Sequence, residues 1–93
     1  MSEDQPKPSL AAQATPSTPV YEAEQRLGAL FEAIRLDLVS ALGEEEKLKQ
    51  LVEDMPYLRD KVNYELRDAQ DRSSRLLGQL RAVEKTLRAF QSI

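Results

Sequence analysis

The chain has 93 residues, of which 41% are hydrophobic, 5% aromatic and 31% charged, with a net charge of −3 and a pI near 5.0. It contains no cysteine, histidine or tryptophan, which excludes disulfides, thiolate metal sites and the commonest acid–base group at neutral pH. One domain at most is expected, with a thin stability margin, and the acidic balance disfavours nucleic acid as a partner.

No apolar run approaches the roughly 20 residues of a membrane span, and the N-terminus lacks the basic-then-apolar order of a secretory signal. A soluble, cytoplasmic protein is expected, and the absence of cysteine fits a reducing compartment.

In chain order, residues 1–18 come first. Pro6, Pro8, Pro16 and Pro19 cluster in or just after this stretch, among Ser, Thr, Gln and Ala. Leu10 is its only large aliphatic residue after the initiator. Such a segment cannot offset the entropy of ordering and is expected to be a disordered tail. Thr15-Pro16 and Thr18-Pro19 are minimal proline-directed phosphorylation sites, although Thr-Pro pairs are common in any such tail.

Residues 19–93 form the expected helical domain. Thr18 can cap, Pro19 suits the first helical position, and Glu22 and Glu24 suit the positive end of the dipole. Val20, Leu27, Phe31, Ile34, Leu38 and Ala41 then fall on one amphipathic stripe, widened by Leu30, Val39 and Leu42. Gly43 reads as a C-terminal stop, so a first helix is expected over 19–42 with a turn at 43.

A second helix is expected over 44–92. Glu44, Glu45 and Glu46 open it as a favourable acidic first turn. A heptad then runs to the C-terminus. One core set reads Leu48, Met55, Val62, Ala69, Leu76, Val83 and Phe90; the other reads Glu45, Val52, Arg59, Leu66, Ser73, Leu80 and Leu87. Arg59 and Ser73 break the apolar rule. Arg59 reads as a side chain that snorkels to the surface, and Ser73 with Ala69 marks a waist where another helix could approach closely. Pro56 must kink or break this helix near position 56; the register carried through it favours a kink, and the alternative is a new helix capped by Asp54. Gly78 costs about 1 kcal/mol against alanine but need not stop the helix.

Chemistry is sparse along this chain. Ser73 and Ser74 have no histidine to activate them, and Asp68 with Arg72 has the spacing of a solvated helical ion pair. The three glycines are isolated, so no phosphate loop is present. No catalytic residue, metal site or cofactor is expected, and the protein is read as a non-enzyme. Arg81, Lys85 and Arg88 share one outer helix face and form a possible basic patch for an acidic partner; an ordinary solvated face is the plainer account.

A first helix of about 24 residues spans roughly 36 Å and would cover only half of the second. The overhang would leave Leu76, Leu77, Leu80, Val83, Leu87, Phe90 and Ile93 uncovered. Leu76, Leu80, Val83, Leu87 and Phe90 are therefore the expected partner-binding residues, because soluble monomers rarely expose so continuous an apolar stripe. The fold class is all-α, a helical hairpin or extended coiled coil with a disordered N-terminal tail. The layout resembles the small coiled-coil subunits of BLOC-one, BORC and the DASH kinetochore ring, each a loose tail followed by two heptad-bearing helices. The expected function is that of a small structural subunit in a larger helical complex, with other helical chains as partners. A hetero-oligomer stands ahead of a homodimeric four-helix adaptor, and a helical co-chaperone for one client is a third reading.

Overall fold

The computed structural model of the protein describes residues 18–91. The tail, the capping side chain of Thr18, the Thr-Pro sites and Ile93 lie outside the described residues or side chains. The described chain is two helices folded back on each other, α1 (Thr18–Asp54) and α2 (Arg59–Gln91), with a single 3₁₀ turn at Pro56–Leu58 between them. The two helices pack along each other as an antiparallel hairpin, without strands among the described residues.

The turn does not fall at Gly43. Helix α1 runs straight through that residue, whose backbone stays out of the left-handed region and whose Cα side is open to solvent. A glycine stops a helix only when it takes the left-handed conformation; otherwise it keeps its hydrogen bonds and merely weakens the helix. Pro56 offers no such choice. It lacks an N–H, and its ring would meet the carbonyl of Val52 four residues earlier. The last α-type bond runs from the Met55 N–H to the Leu51 carbonyl at 2.8 Å. Met55 then takes φ −135° and ψ 78°, away from the α region that proline denies to its predecessor. The Leu58 N–H closes back on the Met55 carbonyl at 2.9 Å, and α2 begins. Pro56 therefore breaks the helix outright and the chain reverses there. Met55 precedes the turn without a side-chain cap, so Asp54 does not play that part. Helix α2 continues through Gly78 as the sequence suggested.

Moving the turn to Pro56 makes the helices similar in length, 37 and 33 residues, and the overhang disappears. Val83, expected to await a partner, is buried, and Leu76 shares a groove with Ala41 of α1. Leu80, Leu87 and Phe90 are half-buried on the same seam. The buried set is short: Ile34, Ala41, Ala69, Val83 and Ser73. A two-helix layer has no third side, so among the described residues no large side chain is fully buried.

Candidate interaction surface

Polar pairs tie the two helices together at one level of the hairpin. Arg72 Nη1 donates to Glu44 Oε1 at 3.0 Å, and Arg72 Nη2 donates to Asp68 Oδ2 at 3.1 Å. The second pair is the helical one legible from spacing; the first ties α2 to α1. Hydrogen bonding to Glu44, then to Asp68, pushes the Arg72 guanidinium further above its ordinary range. Counting outward from that level places Ile34 opposite Val83.

Beside this pair lies a polar layer within the seam. The Ser73 hydroxyl donates to the Ala69 carbonyl at 3.0 Å and lies 3.5 Å from Glu45 Oε1, while Lys49 Nζ bridges Glu45 Oε2 at 3.2 Å. Glu44 to Glu46 are thus a mid-helix cluster rather than an opening turn. The narrow waist at Ala69 and Ser73 is occupied by this chain's own α1. Arg59, by contrast, opens α2 at the turn and is exposed, which accounts for its break in the heptad.

The two flanks of the hairpin differ. One is polar, a shallow groove edged by Asp37, Ser40, Arg72, Arg75 and Gln79. The other carries an aliphatic cluster within a polar surround: Leu38 and Leu42 of α1 and Leu77 of α2 line a groove together with Glu45, Gln70, Ser73 and Ser74. Leu42 is 48% exposed and Leu77 37%. Val39 and Leu42 had read as a widening of the core stripe of α1; in the hairpin they face outward. Leu30 is also exposed.

Arg81, Lys85 and Arg88 follow Leu77 along the same side of α2 by helical steps of four, eight and eleven residues, toward the open end of the hairpin. All three are exposed, and Arg88 is held by Glu84 at 3.0 Å. The basic patch therefore borders the apolar flank. What was missed at the sequence level is the pairing of Leu38 and Leu42 with Leu77, which becomes visible only once the reversal is placed at Pro56. Among the described residues no cluster of three or more acidic side chains could hold a metal ion, and no helix is long and apolar enough to cross a membrane.

The profile of the VspR C-terminal bi-helical domain matches residues 25–93, most of this chain and both of its helices. The chain belongs to that family. The match takes in the reversal at Pro56 and the whole apolar flank. No curated protein and no solved structure matches it.

Proposed function

We propose that this chain is a non-enzymatic coiled-coil interaction module, a small structural subunit that enters a larger helical assembly by burying the Leu38–Leu42–Leu77 flank of its hairpin against other helices. The observation that carries the reading is that flank: a cluster of aliphatic side chains left partly in water, on a hairpin that fully buries no large side chain among its described residues. Burying what each still exposes would contribute a part, on the order of half or less, of the about 1.5–3 kcal/mol that full burial of an exposed leucine is worth, and contiguous apolar patches on small domains commonly mark protein contacts. The cytoplasm is the proposed compartment, since a chain without cysteine suits a reducing one.

The partners are other helical chains. Seam residues Leu76, Leu80, Val83, Leu87 and Phe90 hold the hairpin together in this reading, and the docking role passes to the flank. The test is co-purification from the native source with wild-type chain and with Leu42→Asp/Leu77→Asp. The variant should keep its helical circular dichroism and lose the chains that accompany the wild type. If the same chains accompany both, the flank is not the docking surface.

A further inference from the structure

We infer that the first occupant of the apolar flank is a second copy of this chain, packed about a two-fold axis running along the hairpin, with both turns at the same end. The inference rests on the reading of the flank as a docking surface and names what covers it.

Two features of the flank carry it. The first is charge. Helix α1 holds nine acids against four bases, so −5, and α2 holds eight bases against five acids, so +3. The flank thus joins an acidic helix, which lends it Glu45, to a basic one, whose Arg81, Lys85 and Arg88 border it. A partner suits it when it presents the same two helices in exchanged order. A two-fold axis along the hairpin does this, laying each α1 over the α2 of the other copy, whereas an axis across the hairpin would stack α1 on α1. Opposite charge across an interface favours encounter and fixes orientation, and like charge penalises the other docking.

The second feature is level. Leu38, Leu42 and Leu77 border one groove at one height along the hairpin, although they come from different helices. A rotation about the long axis keeps height unchanged. It therefore brings Leu38 and Leu42 of each copy against Leu77 of the other, so the patch closes on itself, as the self-matching interface of a two-fold dimer requires. The product is a four-helix bundle in which every neighbouring pair of helices is antiparallel, a standard bundle arrangement. The helices that bury the flank in the assembly are then, in the first place, those of the second copy.

Sedimentation equilibrium of the full chain at micromolar concentrations should give the mass of a dimer, weakening at least severalfold as salt rises from 0.05 to about 0.5 M because the charged helices are screened. Leu42→Glu/Leu77→Glu should give a monomer with unchanged circular dichroism. Orientation is read separately, with no risk to folding of the flank, from the exposed turn residue Tyr57. A spin label attached after Tyr57→Cys, in a chain with no other cysteine, should report an intermolecular distance under about 30 Å. Turns at opposite ends would be about 50 Å apart, from the helical rise of 1.5 Å per residue. A monomeric wild type, a dimer that survives the double substitution, or the long label distance would each overturn the inference. A monomeric wild type whose accompanying chains are still lost with Leu42→Asp/Leu77→Asp would overturn the second copy alone and leave the docking role of the flank standing.

Discussion

Ala69 is wholly inaccessible to solvent and Ser73, one turn later, nearly so. Small side chains at these two positions let the helices approach closely, and a larger one has no space to enter. Ala69→Leu should therefore destabilise the hairpin by about 1–3 kcal/mol, measured by chemical denaturation, whereas Ala82→Leu on the exposed side should be nearly neutral. Gly43 carries the opposite expectation. It lies within a helix, exposed, with nothing near the position of a new methyl group. Gly43→Ala should raise stability by about 1 kcal/mol; a loss of helicity would mean that the chain turns there. At Glu32 the effect is electrostatic. The hydrogen bond from Arg35 holds its carboxyl below the ordinary value of 4.5. A folded-state pKa below the unfolded one contributes stability that is complete above the ordinary value and fades as pH falls through the depressed one. The pair is exposed, so the contribution is small. The melting-temperature difference between wild type and Glu32→Gln should accordingly be small at pH 7 and shrink further as pH falls below the ordinary carboxylate value.

Helix type was legible at the level of elements because the apolar period is long and regular, and the all-α hairpin follows from it. The place of reversal was harder to read, because two stop signals compete. Gly43 permits a stop, and only packing decides whether the option is taken; Pro56 imposes one. The heptad also passes through Pro56 in register, since residues on both sides of the break line a single seam, so the pattern looks like one continuous helix. Placing the turn at Gly43 created the apparent overhang, and with it the assignment of Leu76, Leu80, Val83, Leu87 and Phe90 to a partner. The flank of Leu38, Leu42 and Leu77 stayed hidden for the same reason. Pro56→Ala tests this account directly. It removes a cost of about 3 kcal/mol that a helix through this position would carry, so part of the population should straighten into one long helix that pairs between chains, as hinge substitutions do in domain swapping. Small-angle scattering would show a longer maximum dimension and a larger mass. An unchanged hairpin would mean that the seam alone enforces the reversal.

The whole molecule is one layer of two helices, and its exterior divides into a polar flank crossed by the Glu44–Arg72 tie and an apolar flank bordered by Arg81, Lys85 and Arg88. Substitution of two of the basic trio, Arg81→Glu/Lys85→Glu, should leave the helical content of the hairpin intact by circular dichroism, because both side chains are exposed, while weakening the charge-matched pairing of two copies. The reversal at Pro56 has a mechanical consequence. Residues 18 and 91 end their helices toward the same pole, opposite the turn. A pull applied between them loads the seam one level at a time, beginning near Leu27 and Phe90 and reaching Ala69 only after the outer levels have parted. The hairpin should therefore open like a zipper in an optical trap, at low force and over a gradual extension, with a pause where Glu44 and Arg72 hold the helices together. Anchors moved to positions 18 and 57 would instead pull along α1 itself, and the same molecule should then resist far more strongly.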